Sequence, residues 1–213
     1  MRRMAESLRP SDLREQFGDI DIYLFDQLLR GRIGDGARIL DAGCGSGRNL
    51  VFMLRAGMDV YGIDESADAI AAIRRQAALL APQLPADRFT VQSVDAMSFA
   101  NGSMDVVVSS AVLHFARDEA HFAGMVNEMW RVLAPGGLLF SRLASSIGIE
   151  SQVKSLGNRR HQLPDGSTRF LVDAAYLLEH TQQLGGSLLD PLRTTVVHGQ
   201  RSMTTWVTQK AGG

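Results

Sequence analysis

The fold is decided by the stretch Arg38-Ile-Leu-Asp-Ala-Gly-Cys-Gly-Ser-Gly47, in which a short apolar run leads directly into three glycines at alternate positions. Glycines with this spacing let the main chain turn sharply and let a ligand lie against bare peptide. The helix expected after Gly47 begins with unpaired N–H groups and the positive end of its dipole, which suit a carboxylate or a phosphate. The stretch therefore predicts a strand, a glycine loop and a helix that together bind an anionic group.

The rest of the chain repeats this alternation of strands and helices. Five short apolar runs predict buried strands at residues 37–42, 59–64, 89–94, 104–110 and 137–143. Apolar residues three and four apart predict helices between them, most clearly over 122–133. Two β-branched runs, 194–197 and 202–208, flank a short turn and predict an antiparallel hairpin. The pattern indicates a doubly wound α/β fold whose mostly parallel sheet ends in one reversed strand.

Acidic residues follow the second and third predicted strands. Asp64 ends the second strand about twenty residues after the glycines, where a carboxylate can accept hydrogen bonds from both hydroxyls of a ribose. Asp95 ends the third strand, and the backbone amide of Ala96 follows it. Because open α/β sheets bind ligands at the carboxyl ends of their strands, these groups are expected to converge. The ligand inferred from them has an anionic end, a ribose and an aromatic base.

Composition excludes several classes of protein. The 213 residues carry 22 Lys plus Arg against 23 Asp plus Glu, without a basic tract, which argues against a dedicated nucleic-acid binder. The longest uncharged apolar stretches, such as 106–116, are shorter than the ~20 residues that cross a bilayer, and no signal peptide is recognisable. The single cysteine, Cys44, excludes an internal disulfide and a cysteine zinc cluster, and no histidine spacing indicates a metal site. We expect a soluble cytoplasmic protein, as a monomer or homodimer, without a metal or a membrane partner.

The glycine spacing separates two kinds of cofactor. A dinucleotide fingerprint, G-x-G-x-x-G, would need glycine at position 48, where this chain has Arg48. The order found here instead resembles the class I S-adenosylmethionine-dependent methyltransferases. The resemblance covers nearly the whole predicted sheet, and the matching segments are 39–47, Gly62-Ile-Asp64, Val94-Asp-Ala96, 105–114 and Leu133-Ala-Pro-Gly-Gly-Leu-Leu139.

The resemblance implies a fold, a cofactor and a set of contacts. The fold is a three-layer, Rossmann-like seven-stranded sheet with an antiparallel C-terminal strand, and the cofactor is S-adenosylmethionine. The loop at Gly43, Cys44 and Gly45 would line the methionine portion. The other residues implied to hold the cofactor are Asp41 at its amino group, Asp64 at the ribose, Glu65, Asp95 and Ala96 at the adenine, and Ser110 and Ala111 at the amino-acid end. The resemblance does not fix the methyl acceptor; the near-neutral chain, without an added docking domain, favours a small molecule.

His114 follows the fourth predicted strand, where acceptors commonly bind in this family, and its ordinary pKa of ~6.5 suits a general base. The other interpretation is a histidine that fills the rim of the site. We divide the chain into an N-terminal helical cap over 1–36 and a cofactor-binding domain over 37–213. Within that domain, the weakly periodic segment 145–171 is expected to be a substrate-side insertion. Two other functions remain open, an NAD(P)-dependent oxidoreductase and a cofactor-binding protein without catalysis.

Overall fold

A computed structural model describes residues 9–212 and contains eleven strands and six α-helices. The strands are β1 Arg38–Ala42, β2 Asp59–Asp64, β3 Phe89–Val91, β4 Met104–Ser110, β5 Leu133–Ala144, β6 Lys154–Gly157, β7 Arg160–Gln162, β8 Thr168–Phe170, β9 Gly186–Leu188, β10 Arg193–Val197 and β11 Arg201–Lys210. The helices are α1 Leu13–Phe17, α2 Ile22–Leu29, α3 Val51–Arg55, α4 Ala67–Leu80, α5 Glu119–Val132 and α6 Ala174–Gln183.

The main sheet has the strand order β10-β11-β5-β4-β1-β2-β3. Strands β3, β2, β1, β4 and β5 are parallel to one another, whereas β11 runs antiparallel to both β5 and β10. The short β9 pairs with residues 208–210 of β11, beyond the stretch that pairs with β10, so the sheet has seven strand positions. The prediction of a mostly parallel seven-stranded sheet with one reversed C-terminal strand is confirmed.

Helices cover both faces of this sheet. The side chains of β4 alternate between the faces, with Val107 in one buried apolar cluster and Val106 and Val108 in the other. Helices α5 and α6 contribute to the first cluster, and α2, α3 and α4 contribute to the second. The structure therefore has three layers, as expected for strands that are apolar on both faces.

The N-terminal segment differs from the single amphipathic helix that its apolar spacing indicates. The chain forms two short helices, α1 and α2, because Gly18 adopts a left-handed φ of 67° that ends the first helix. Asp21 then caps the second helix, and its side chain accepts a hydrogen bond from the Tyr23 N–H at 3.0 Å. Leu24 packs fully buried against the sheet, so α2 covers part of one face. Residues 1–8 of the expected cap lie outside the described residues.

The segment expected to be an insertion contains its own small sheet. Strands β6, β7 and β8 form an antiparallel sheet of three strands that is separate from the main sheet. Phe170 at the end of β8 is fully buried and stacks on Phe122 of α5, with 5.0 Å between the ring centroids. This stacked pair attaches the small sheet to the core, whereas all four residues of β6 are exposed.

Residues 9–212 contain neither a membrane-spanning helix nor a cluster of metal-binding side chains. No helix in that range combines the length and the apolar character needed to span a membrane. The same range holds no group of three His, Cys, Asp or Glu side chains arranged to bind a metal ion.

Candidate functional site

A cavity of about 500 Å³ opens at the carboxyl ends of β1, β2 and β4. Seven of the ten residues predicted to bind the cofactor line it, namely Gly43, Cys44, Gly45, Asp64, Glu65, Ser110 and Ala111. The remaining lining residues are Ser46, Arg48, Asn49, Ser93, Val94, Val112, Phe115, His121 and Met125. The cavity lies at the sheet edge where the spacing of Asp64 and the glycines predicts a ligand.

The three glycines of the loop are favoured at their positions for different structural reasons. Gly43 has a φ of 85°, and a Cβ there would lie 2.4 Å from the Cγ2 of Val112. Gly47 has a φ of 87°, and its Cβ would lie 2.1 Å from the Cδ1 of Ile73 in α4. Gly45 also has a positive φ of 53°, but no protein atom lies within 4 Å of its Cβ position. Gly43 and Gly47 therefore permit close packing, whereas Gly45 presents bare main chain to the cavity.

Asp64 fastens the end of β2 to the glycine loop. Its two carboxylate oxygens accept hydrogen bonds from the N–H groups of Gly45 and Ser66, each at 2.9 Å. The Ile63 carbonyl oxygen also accepts from the N–H groups of Gly43 and Cys44, each at 2.8 Å. These bonds fix the loop before any ligand arrives, and each oxygen of Asp64 keeps a lone pair for a further donor.

The Asp41 carboxylate is buried beneath the glycine loop, and its charge is not balanced by a hydrogen-bond partner among residues 9–212. It is 1% exposed, and neither carboxylate oxygen makes a hydrogen bond of ordinary geometry within the described residues. Burial raises the pKa of Asp41 to about 7, although the positive charge of Arg48 and the nearby side chain of Asn49 oppose that rise. A cation that entered beside Asp41 would supply the missing partner, because a buried carboxylate is costly when it is unpaired.

Arg48 and Ser110 lie together at one end of the cavity. An Nη2–H of Arg48 donates to the Oγ of Ser110 at 2.8 Å. Ala111 holds a φ of 67°, and its N–H donates to the Arg142 carbonyl oxygen at 2.8 Å, so this amide is not free for a ligand. The Arg48 guanidinium is thus the cationic group that lines this end of the cavity.

Asp95 stands behind the cavity wall in a small polar cluster. One of its oxygens accepts from the Ser93 hydroxyl, and the other lies 3.3 Å from the Nε2 of His121. The Ser93 hydroxyl, helped by the charge of His121, holds the pKa of Asp95 below its ordinary value. Asp95 and Ala96 do not line the cavity, and the Ala96 N–H donates to the Ser93 carbonyl oxygen at 3.3 Å. Asp95 thus contacts two residues of the cavity lining, Ser93 and His121.

His114 is buried, 7% exposed, and does not line the cavity. Its Nδ1 accepts the Ala144 N–H at 3.3 Å, so a neutral His114 carries its proton on Nε2 and has no free acceptor nitrogen. Burial, followed by the positive charge of Arg169, lowers the pKa of His114 to about 4. This geometry favours the interpretation that His114 fills the rim, and its catalytic role stays a prediction.

Cys44 lies in the loop as a buried thiol. Its Sγ donates to the Gly45 carbonyl oxygen at 3.5 Å, and it would lie 3.0 Å from a Cβ at Gly62. Burial raises the pKa of the Cys44 thiol well above its ordinary value, so the thiol is not a nucleophile here.

Two lining residues that the sequence reasoning missed carry charge or a titratable ring. Arg48 directly follows the last glycine, so its position next to the loop was a usable signal. His121 belongs to α5, and its contact with Asp95 depends on how that helix packs, which no local spacing reveals.

Comparisons with known proteins agree with this site. A family model described as a methyltransferase domain matches residues 39–137, which hold the glycine loop, Asp64 and Asp95. Over residues 39–137, the chain is similar to S-adenosylmethionine-dependent methyltransferases. A malonyl-[acyl-carrier protein] O-methyltransferase of Enterobacter lignolyticus is 36% identical over 110 residues, which are 51% of this chain and 40% of that protein. The chain spans 32–40% of the length of the first curated relatives that it matches.

Solved structures of methyltransferases share the fold. An S-adenosylmethionine-dependent methyltransferase of Methanosarcina mazei superposes with a TM-score of 0.72 at 20% identity, covering 87% of this chain and 98% of that one. A magnesium protoporphyrin IX methyltransferase of Synechocystis with bound S-adenosylhomocysteine gives a TM-score of 0.70 at 17% identity, covering 98% of this chain and 90% of the other. At these identities the likeness concerns the Rossmann-like architecture of the family.

Proposed function

We propose that this protein transfers the methyl group of S-adenosylmethionine to a small-molecule acceptor and releases S-adenosylhomocysteine. The observation that carries the proposal is the buried, unpartnered carboxylate of Asp41 beneath a cavity lined by Gly43, Gly45 and Asp64. An open cavity with a few convergent polar groups is the ordinary form of a cofactor site. The match of residues 39–137 to a methyltransferase domain supports the same conclusion.

The charges at one end of the cavity fit the amino-acid end of the cofactor. The Asp41 carboxylate lacks a partner and would accept from an ammonium group, directly or through a water molecule. The Arg48 guanidinium lines the cavity, beneath which Asp41 is buried, and would bind a carboxylate. Gly45 leaves open space where any other residue would project a side chain. A zwitterionic ligand therefore satisfies both charges of the site at once.

The remaining polar groups fit a nucleoside. Asp64 keeps acceptor capacity after holding the N–H groups of Gly45 and Ser66, and it would take the ribose hydroxyls. Glu65, Ser93 and His121 line the next part of the wall and would face the adenine. Asp95 contacts Ser93 and His121, and its contact with the adenine amino group, which the family resemblance implies, stays a prediction.

When bound, the cofactor supplies a methyl group that its positively charged sulfur already activates. The chain must therefore hold an acceptor atom in line with that methyl group and keep water away. Alignment of this kind lowers a reaction barrier by several kcal/mol, with about 7–11 kcal/mol in ideal cases. Val112, Phe115 and Met125 supply an apolar wall for this purpose.

The parts of the chain outside the core are assigned roles within this proposal. In the predicted cap over 1–36, the described residues 9–36 carry α1 and α2, which would cover the cofactor-binding domain of 37–213, and the segment 145–171 would be a substrate-side insertion. Contacts of that segment with the turn after β4 support this role, because the Arg160 Nη1–H donates to the Ala116 carbonyl oxygen at 3.1 Å. We propose a cytoplasmic protein, monomeric or homodimeric, that acts on a small molecule and not on nucleic acid.

The proposal is tested by thermal unfolding with candidate cofactors. S-adenosylhomocysteine at 100 times its Kd should stabilise the protein by about 2.7 kcal/mol. Stabilisation by NAD or NADP with none by S-adenosylhomocysteine would contradict the proposal and favour an oxidoreductase. Transfer of a labelled methyl group to a panel of small acceptors then tests catalysis, and tight binding without any labelled product would indicate a cofactor-binding protein.

A further inference from the structure

The small sheet of β6–β8 carries several cations, and they differ in how their charges are compensated. Arg159 forms an ion pair with Asp173 at 2.9 Å and lies over the Tyr176 ring at 3.8 Å. The charge of Arg159 is therefore compensated within the protein. Arg169, on the neighbouring strand β8, makes a hydrogen bond only to the Thr168 carbonyl oxygen, at 2.8 Å.

Arg169 is half-buried and has no carboxylate partner among residues 9–212. Its guanidinium carbon lies 5.0 Å from the centroid of the Phe115 ring, and Phe115 lines the cavity with 57% of its surface exposed. The charge of Arg169 also contributes to the lowered pKa of the buried His114. An arginine on the rim of the site thus keeps most of its donors free while its charge reaches the interior.

Arg160 is the second cation beside the same turn. Its Nη1–H donates to the Ala116 carbonyl oxygen, directly after Phe115, and no carboxylate of the described residues pairs with it. The chain has 23 acidic residues, so acids are not scarce. A guanidinium whose N–H donors are not taken by a carboxylate of the protein can bind an anion that a ligand supplies.

We propose that the methyl acceptor carries a carboxylate or phosphate group that Arg169 binds, while an apolar or aromatic body lies on Phe115 and Val112. This inference rests on the proposed function, because it places the acceptor in the part of the cavity beside the 113–116 turn. The planar guanidinium fits either anion with two parallel hydrogen bonds. The paired Arg159 cannot serve in this way, since Asp173 already occupies it.

The test uses three small aromatic probes, benzoate, phenyl phosphate and benzamide, titrated by calorimetry into the protein saturated with S-adenosylhomocysteine. At least one anion should bind about tenfold or more tightly than neutral benzamide, as expected for hydrogen bonds to a charged group. The tighter of the two anions identifies carboxylate or phosphate. Equal binding of benzamide, or failure of all three probes to bind, would overturn the inference.

Two variants separate a specific contact from general attraction. Arg169→Gln should bring the affinity for the anion down to that for benzamide, whereas Lys154→Gln, which removes one positive charge from the exposed strand β6, should change it less than about twofold. Arg169→Lys keeps the positive charge but loses the planar guanidinium, so its affinity for the anion should lie between those of the Arg169→Gln and Lys154→Gln variants. Equal losses in the Arg169→Gln and Lys154→Gln variants would overturn the proposed contact.

The cofactor titration keeps this result separate from the proposed function. Both glutamine variants should bind S-adenosylhomocysteine like the original protein and unfold at the same temperature, since neither side chain is part of the cofactor wall or an ion pair. If S-adenosylhomocysteine fails to bind the original protein, the proposed function fails, and the three probes titrated into ligand-free protein still decide whether Arg169 holds an anion.

Discussion

The glycine loop and the small sheet of β6–β8 lie near the same cavity but are built in different ways. In the loop, Asp64 and the Ile63 carbonyl oxygen hold the main chain through three hydrogen bonds, and the Cβ positions of Gly43 and Gly47 are filled by neighbours. In the small sheet, β6 is wholly exposed, and the attachment to the core consists of the buried Phe170 and Leu163 and the hydrogen bond from Arg160 to the Ala116 carbonyl oxygen.

The difference separates the part of the site that is shared with relatives from the part that is particular to this chain. The family match covers residues 39–137 and ends before the small sheet begins. Relatives that bind the same cofactor need the same loop geometry. The segment that faces the acceptor differs between them, because the acceptors differ in shape and charge. The loop should therefore tolerate substitution poorly, and the small sheet should tolerate it well.

The sharpest test of this contrast compares Gly43→Ala with Gly166→Ala. Both glycines have a left-handed φ, 85° and 81°, but the added Cβ meets Val112 only at Gly43 and meets nothing within 4 Å at Gly166. The left-handed conformation costs about 1–2 kcal/mol in each case. The collision at Gly43 should raise the loss in the free energy of unfolding to about 3–5 kcal/mol. Equal losses in urea unfolding would show that the loop is no more constrained than the small sheet.

The sequence predicts the loop and the sheet because each depends on local residue chemistry. Alternate glycines, the apolar run before them and the acids Asp64 and Asp95 at strand ends need no knowledge of distant contacts. Strand boundaries are less certain, since β3 ends at Val91, three residues before the predicted end. There the Gln92 side chain accepts from the Ser98 N–H at 2.8 Å and closes a loop around Asp95 instead of extending the strand.

Other features depend on contacts that local patterns do not contain. The apolar spacing over Phe17–Leu28 fits one helix, and the break appears only because Gly18 and Asp21 form a turn and a cap. The pairing of His121 with Asp95 requires α5 to lie beside the loop that follows β3. The strands of the small sheet are only three or four residues long, too short for a periodic pattern.

Buried and exposed acids should respond to pH in opposite directions. The pKa of Asp41 is about 7, raised by burial, so the folded protein without cofactor binds more protons than the unfolded chain between about pH 4 and 7. Its contribution to stability is present below pH 4 and lost as pH rises to 7. Asp41→Asn should therefore increase the free energy of unfolding by roughly 2–4 kcal/mol at pH 8 and little at pH 4.

Asp165 in the small sheet region provides the control. Its hydrogen bonds from Ser167 and Arg201 lower its pKa to about 2, so its stabilising contribution is present above pH 4 and lost as pH falls to 2. Asp165→Asn should destabilise the protein at neutral pH. Urea unfolding across this pH range checks both variants, and a destabilising effect of Asp41→Asn at pH 8 would show that Asp41 is not an unpaired buried charge.

The cofactor contact of Asp64 should have the next largest effect. Asp64→Ala should weaken the binding of S-adenosylhomocysteine by about 1.5–3 kcal/mol, because a charged hydrogen-bond acceptor is lost and the Gly45 and Ser66 N–H groups lose their partner. Asp165→Ala, which removes an acid outside the cavity, should leave that affinity unchanged. Calorimetry measures both, and equal affinity of the Asp64→Ala variant and the original protein would refute the ribose assignment.

The smallest effect is expected for His114, which lies in the 113–116 turn after β4. Its Nδ1 holds the Ala144 N–H, and Arg169 of the small sheet helps to lower its pKa to about 4, so it should be neutral with its proton on Nε2 throughout pH 6–9. Nitrogen-15 NMR should detect that tautomer at every pH in this range. His114→Gln keeps a polar group at the position and should change turnover of a labelled acceptor less than about threefold, with no new step in the pH profile. A loss of a hundredfold or more, together with disappearance of a step near pH 6.5, would instead assign His114 as the general base and would require the Nδ1 contact to open during catalysis.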